Sequence, residues 1–444
     1  MIHKSFILLI YLFSTFAFSQ ENTTTFSLQE AIDFALDNNR TAKNAVRDVE
    51  AAEKQKWETI STGLPQINAS VDYQNFLKQQ VSLIPAEFFG GNPGDFQEVI
   101  FGTKQSVGGF ATLSQKIFDG SYLVGLQSVK VYLEITKNAK IKTDLEVRKA
   151  VINAYVNVLI AEQSILILES NKTILEKNLF ELTKMFENGM GEEESVEQIQ
   201  ISLSSINSDL NKVLRLKTIA YQMLNITMGL DVNTNIMLTE NLEALTLQNM
   251  SLELLESETT VENNIDYLIA ENDKKSKELF LKLEKSKALP TIDGFINGGY
   301  TAFSDEFTFG KSSQKWFGSA LFGVNMNIPI FSSLGRTAST QMAKINLSKA
   351  EDDLIETEQK LLLEIAAAKS DYQFSIEDYS NKKQNLKLAE RIEVKNQTKL
   401  LEGIASSFDL RQAQSQLYTA QQDYLQAMLD VINKRATLEK LLNK

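Results

Sequence analysis

A chain of 444 residues with 57 acidic against 45 basic side chains has a formal charge of −12 and a pI near 5.0, which leaves no basic surface for nucleic-acid phosphates. It contains no cysteine and a single histidine, His3. Disulfides, thiolate catalysis and cysteine-held metals are excluded, and the commonest general base and zinc ligand is nearly absent.

The first element in chain order is "MIHKSFILLIYLFSTFAFSQEN", in which Lys4 precedes an apolar run and Ala17 and Ser19 are spaced for cleavage before Gln20. Residues 1–19 are therefore expected to be a secretory signal peptide, which would carry His3 away from a mature chain working outside the cytoplasm. Beyond it no apolar run of about 18 residues suggests a spanning helix, so strands would have to make any membrane crossing. Neither a cofactor nor an enzyme activity is implied: what remains for chemistry is scattered carboxylates, lysines, serines and tyrosines.

After a first helical stretch the chain changes period at "GLPQINASVDYQ", residues 63–74, where Ile67, Ala69, Val71 and Tyr73 alternate with Asn68, Ser70, Asp72 and Gln74. Period two means a strand with one apolar and one polar face. A second strand is expected at 106–118, with 76–105 as the loop between them. A matching pair is expected at 291–303 and 316–330, in the second of which Trp316, Ala320, Phe322, Val324 and Met326 share a face. All five prolines and 16 of the 20 glycines lie in the two windows 63–125 and 290–335, and the rest of the chain is rich in helix formers.

Each strand pair is followed by a breaker-poor run, 119–188 and 334–402, long enough for a helical rod of roughly 100 Å. Glycine turns then lead into partner helices. Val196, Ile199, Leu203, Ile206 and Leu210 in one, and Leu410, Ala413, Leu417, Ala420 and Tyr424 in the other, keep the mean spacing of 3.5 that marks a left-handed coiled coil. Lys217 and Lys434 interrupt these heptads and are given no role beyond solvent exposure or register.

The halves align. Asn38-Asn39 and Leu64-Pro65 fall on Asn263-Asn264 and Leu289-Pro290 at a shift of 225, whereas Gly189 falls on Gly403 at a shift of 214. The difference of 11 residues is placed in the loop 76–105. The expected domains are thus the signal peptide, a first repeat over 20–229 with strand pair 66–118, an inter-repeat segment 230–262, and a second repeat over 263–444 with strand pair 291–331.

The duplicated "NN…LP", the strand pairs ending in "SQKIFDG" and "NIPIFSSLG", the long rods, the glycine turns and "FDLRQAQSQLYTAQQDYL" together resemble the TolC-like outer membrane efflux protein family over nearly the whole mature chain. The resemblance implies an α+β membrane protein. Long antiparallel coiled-coil hairpins would form a periplasmic α-barrel, and four strands per chain, twelve per homotrimer, a transmembrane β-barrel in outer membrane lipid. It implies passive export through a tripartite efflux or type I secretion system, with a periplasmic adaptor (membrane fusion) protein and an inner-membrane transporter as partners and the segment 230–262 in an equatorial belt.

Residue by residue, the resemblance puts Asp409 and Gln412 at the tunnel entrance, with the uncharged Gln412 where a second acid often stands. Gly189-Met190 and Gly403-Ile404 correspond to adaptor-contacting turns. Structural readings stand beside these. Ser406 with Asp409 forms a capping box, glycine ends helices, and "GEEES" at 191–195 makes a solvated first turn rather than a metal cluster. A secreted periplasmic coiled-coil scaffold that never enters a membrane is the competing function, separable by detergent dependence.

Overall fold

The computed structural model describes residues 24–256 and 260–443. The expected signal peptide lies outside them. Strand β1 (Thr24–Phe26) leads into helices α1 (Leu28–Asn38) and α2 (Arg40–Ser61) and then strand β2 (Gln66–Asn75). A hairpin of β3 (Val81–Pro85) and β4 (Phe96–Ile100) precedes β5 (Gln105–Phe118). Helices α3 (Gly120–Glu187) and α4 (Glu193–Met228) follow, then β6 (Ile236–Leu238), α5 (Leu242–Gln248), α6 (Glu253–Glu256) and α7 (Ile265–Ser286). Strands β7 (Thr291–Ser304) and β8 (Trp316–Asn327) and helices α8 (Gly335–Leu401) and α9 (Ser407–Leu441) complete the order. The protein is mostly helical with some sheet.

There are two compact units, each drawing on both halves of the sequence. A helical unit takes the described parts of Met1–Arg47, Asn138–Leu268 and Thr357–Lys444; a β unit takes Asp48–Lys137 and Ile269–Glu356.

In the helical unit the apolar stripes of α3, α4, α8 and α9 meet. Val151, Leu224, Tyr372, Val431 and Leu438 are fully enclosed, and each such side chain contributes about 1.5–3 kcal/mol relative to exposure. Buried hydroxyls find backbone partners: Tyr155 donates to the Phe26 carbonyl at 3.0 Å, and Tyr372 to the carbonyls of Asn249 and Ser251 at 2.6 and 3.0 Å. The expectation that no helix is apolar enough to span a membrane needs one correction. An 18-residue window of α3 passes on length and composition, and half of it is buried inside the protein. Its apolar residues include Val151, Val156 and Leu159 of the core, which is why they look like a span in sequence.

The duplicated asparagines have a shared task. Asn39 Oδ1 accepts the Thr41 N–H while its Nδ2 donates to the Thr227 carbonyl at 2.7 Å; Asn264 Oδ1 accepts the Asp266 N–H while its Nδ2 donates to the Leu441 carbonyl at 2.8 Å. Each starts a helix and ties it to the last turn of α4 or α9, satisfying a carbonyl that the helix end leaves free. The heptad lysines also have partners. Lys217 pairs with Glu162 at 3.0 Å and Lys434 with Asp371 at 2.6 Å, bridging α4 to α3 and α9 to α8.

In the β unit a four-stranded antiparallel sheet runs β2-β5-β7-β8. Its register lines up cross-strand rows: Ile67, Leu113, Ile296 and Phe322 form an apolar one, and Asn68, Thr112 and Asn297, ending at Leu321, form the next, on the opposite face. On that second face Asn297 Nδ2 donates to Thr112 Oγ1 at 2.7 Å. Glycines make room for rings: a Cβ at Gly323 would lie 2.5 Å from the Phe295 ring, and one at Gly299 would lie 2.2 Å from the Gly109 carbonyl oxygen and 2.6 Å from the Phe110 ring.

Two details depart from the sequence reading. The strand expected over 316–330 stops at Asn327, before Pro329, which has no N–H for a ladder. Within the segment expected to be a loop, β3 and β4 pair in register from Val81↔Ile100 to Pro85↔Phe96, joined through a 3₁₀ turn (Ala86–Phe89) that ends at Gly90 with φ +83°.

Candidate functional site

The residues singled out by sequence occupy the two interhelical turns of the helical unit. α3 ends where Gly189 takes φ +71°, with its N–H donating to the Phe186 carbonyl at 2.9 Å and the Met190 N–H to the Met185 carbonyl at 2.8 Å. α8 ends in the same way: Gly403 has φ +74° and donates to the Leu400 carbonyl at 3.0 Å, and Ile404 donates to the Lys399 carbonyl at 2.8 Å. This is the Schellman pattern, in which a left-handed residue lets two orphan carbonyls be satisfied. Nothing lies within 4 Å of a Cβ at either glycine, so the backbone angle, not crowding, calls for glycine there.

The residue after each glycine is apolar and faces solvent, Met190 at 69% and Ile404 at 70% exposure. A Schellman turn commonly tucks its following hydrophobe back onto the helix. Both of these point outward. The two turns sit on one apolar cluster, in which Leu182 of α3, Ile199 of α4, Leu400 of α8 and Leu410 of α9 pack together.

Beyond the turns the two partner helices begin differently. Ser406 caps α9: its Oγ accepts the Asp409 N–H, and the Asp409 carboxylate accepts the Ser406 N–H at 3.0 Å and its hydroxyl at 2.7 Å. These bonds, from the Ser406 hydroxyl first, hold the exposed Asp409 carboxyl below the usual carboxylate range. Gln412 lies three residues on, exposed, and shares that helix face. α4 opens without a side-chain cap at Glu192; Glu193 and Glu194 stand exposed in its first turn, and Gln198 Nε2 donates to Glu194 at 2.8 Å.

A buried polar layer in the same helices has no signature in the residue pattern. Gln397 Nε2 donates to Asn178 Oδ1 at 2.6 Å, and Glu393, only 4% exposed, has its carboxyl pushed up by burial. Burial and the charge of Glu393 raise the Tyr418 hydroxyl to about 12. Amphipathic patterning places a glutamate outside by default, so Glu393 was hidden among the other charges of α8. The turns thus present two exposed apolar side chains, Met190 and Ile404, and a capped acid, Asp409.

In the β unit the candidate surface is the sheet itself. All ten residues of β2 are exposed, and among the described residues β2 and β8 each pair on one side only. The apolar face is lined by Ile67, Val71, Ile296 and Phe322, all exposed, and its polar reverse holds Asn68, Ser70 and Asp72.

Residues 262–444 match the profile of the family described as outer membrane efflux protein. No curated protein matches the sequence. Solved structures do. The outer membrane protein VceC from Vibrio cholerae is 15% identical with a TM-score of 0.72, the match covering 94% of this chain and 96% of that one. CusC, a protein whose structures concern transmembrane channel formation, is 19% identical with a TM-score of 0.74 over 97% and 95%. The open state of the MtrE outer membrane channel of Neisseria gonorrhoeae is 18% identical with a TM-score of 0.71 over 94% and 88%. Residues 262–444 are thus similar to the outer membrane efflux protein family, and the chain as a whole shares the fold of these solved outer membrane channel structures.

Proposed function

We propose that the protein is the outer membrane duct of a tripartite efflux or type I secretion system in a Gram-negative envelope, conducting cargo passively and performing no chemistry. The observation that carries this reading is the open sheet β2-β5-β7-β8, with its exposed apolar face and its two unpaired edges. In lipid an open edge leaves N–H and C=O groups without partners, and four strands are too few to close on themselves. Three copies would pool them into a twelve-stranded barrel in outer membrane lipid, within the known range of about 8 to 26 strands.

The helical unit would form the periplasmic tunnel. Its long helices come in near-equal pairs, 68 and 67 residues for α3 and α8 and 36 and 35 for α4 and α9, which supports two repeats of one unit. Met190 and Ile404, exposed beside Gly189 and Gly403, are suited to meet a periplasmic adaptor, with an inner-membrane transporter beyond it. Asp409 and Gln412 would ring the entrance, where three-fold symmetry turns one carboxylate into three converging charges that favour cations. Gln412, lacking charge, leaves that ring half as strong as a double-acid one.

Membrane fractionation tests the reading: recovery in the outer membrane, released only by detergent, supports it, and recovery as soluble periplasmic protein contradicts it. For the entrance, Asp409→Asn should lower cation selectivity in planar bilayers, and an unchanged reversal potential would remove Asp409 from that role. Crosslinks from Met190 or Ile404 to a co-expressed adaptor would support the contact assigned to the turns; crosslinks confined to distant helix positions would reject it.

A further inference from the structure

Tyr379 of α8 and Tyr424 of α9 face each other in the helical unit, with ring centroids 5.5 Å apart, planes inclined by 30° and hydroxyl oxygens 3.2 Å apart. Tyr379 is enclosed and Tyr424 half-buried. The Tyr424 hydroxyl donates to Glu243 Oε1 of α5 at 3.4 Å, so the bond between the two phenols runs from Tyr379 to Tyr424. Lys383 closes this chain, reaching Glu243 Oε1 at 2.9 Å and the Tyr379 oxygen at 3.5 Å. Close by, Lys382 and Asp423 pair at 2.8 Å and hold α8 and α9 in register.

Packing alone does not call for two phenols here. The shift of 214 that superposes the glycine turns takes Tyr379 back to Ile165 of α3 and Tyr424 back to Leu210 of α4, so the first half builds the same place from aliphatic side chains. Tyr372, one heptad before Tyr379, is a phenol in a structural role: its ring is fully enclosed and its hydroxyl donates to the Asn249 and Ser251 carbonyls.

A pair of phenols joined to a carboxylate can do radical chemistry. Loss of one electron makes a phenol a strong acid, and the Glu243 carboxylate stands where the Tyr424 proton has to go. The Tyr424 radical then takes a hydrogen atom from Tyr379 along their shared bond, which leaves Tyr424 open to a second oxidation. Each radical has unpaired density at Cε, the ring carbon beside the one that bears oxygen. With the hydroxyls 3.2 Å apart, these carbons are neighbours.

We propose that Tyr379 and Tyr424 are a modification site, a pair that one-electron oxidants couple into an intrachain dityrosine joining α8 to α9 beside α5. A Cε–Cε bond forms, the two Cε hydrogens move to the oxygens and restore both phenols, and two electrons and two phenolic protons leave. At a haem peroxidase those electrons and protons reduce hydrogen peroxide to two waters. The chain has no cysteine, so no thiol of its own quenches the radicals. Every group involved belongs to the helical unit of one chain, and neither assembly nor membrane insertion is required.

The full-length protein in detergent, exposed to a haem peroxidase and hydrogen peroxide, should gain the blue fluorescence of dityrosine while staying at monomer mass on a denaturing gel. Tandem mass spectrometry should find the peptides of Tyr379 and Tyr424 linked through those residues. Fluorescence at monomer mass should fall to background in Tyr379→Phe and in Tyr424→Phe, and its initial rate should fall several-fold in Glu243→Gln. Dityrosine confined to exposed residues such as Tyr132 and Tyr300, seen as dimer bands while Tyr379 and Tyr424 stay unlinked in the parent protein, would overturn the site. An unchanged rate in Glu243→Gln would overturn the proton path assigned to that carboxylate.

Discussion

Val151 of α3 and Val71 of β2 each lie in the apolar stripe of their element, yet the first is fully enclosed by its own chain and the second is 79% exposed. The helical unit encloses a core that runs through α3, α4, α8 and α9, whereas the sheet of the β unit leaves the apolar ends of its cross-strand rows, such as Ile67 and Phe322, uncovered. Periodicity thus identifies which face of an element avoids water but not what shields it. In one unit the chain itself shields a core; in the other the proposed function assigns the shielding to lipid and further copies, because isolated strands with open edges are poor structures in either solvent.

The comparison can be broken from either side. The largest effect is expected from Leu175→Ala in the helical unit, which empties a fully buried site and should cost about 2–5 kcal/mol in denaturant unfolding followed by circular dichroism. A cost under about 0.5 kcal/mol would mean that the site is not a core position. Next comes Val71→Arg, which should cost about 2–4 kcal/mol in refolding into lipid vesicles if β2 sits near the bilayer midplane. Equal refolding yields for Val71→Arg and the parent protein would show that this face never meets lipid.

Gly299→Ala tests the packing on the sheet's other face. The added methyl would meet the Gly109 carbonyl and the Phe110 ring, and overpacking of this kind costs about 1–3 kcal/mol. Faster amide exchange confined to β5 and β7 is the expected signature, and unchanged exchange in both strands would contradict it. At the turns the effects are smaller: Ser406→Ala should cost about 1 kcal/mol by removing the α9 cap, read as faster exchange in the first turn of α9. The Asp409 part of the cap has its own pH signature. A carboxyl held below its unfolded value stabilises above that value and loses the effect as pH falls through its folded pKa, so the protection of this turn should fade on acidification.

Glu393 should show the opposite sign. Burial raises its carboxyl, so the folded state holds the proton more tightly and stability declines as pH rises from the unfolded carboxylate range, about 4.3, through the raised value. Glu393→Gln is therefore expected to raise the melting temperature slightly at pH 7 and to leave it unchanged near pH 4. A variant that melts lower than the parent protein at pH 7 would reject that assignment.

What could be read in the sequence follows the range of the interactions. The Ser406–Asp409 capping box spans three residues and could be named from the residue types, as could the glycines of the two turns. The asparagine pairs were visible as a duplicated motif, but their bonds to Thr227 and Leu441 cross 188 and 177 residues and needed the fold. The β3–β4 hairpin was hidden because its strands are five residues each, too short for a period to declare itself, and Phe88 and Phe89 interrupt the alternation. Glu393 was hidden for a different reason: one glutamate on a charged helix looks like any other until the neighbouring helix covers it.

Native mass spectrometry of the full protein released from detergent measures the number of copies that share the sheet. A complex of three chains that holds together only while detergent or lipid covers the β unit is the expected result. A monodisperse single chain, stable in buffer without detergent, would contradict it.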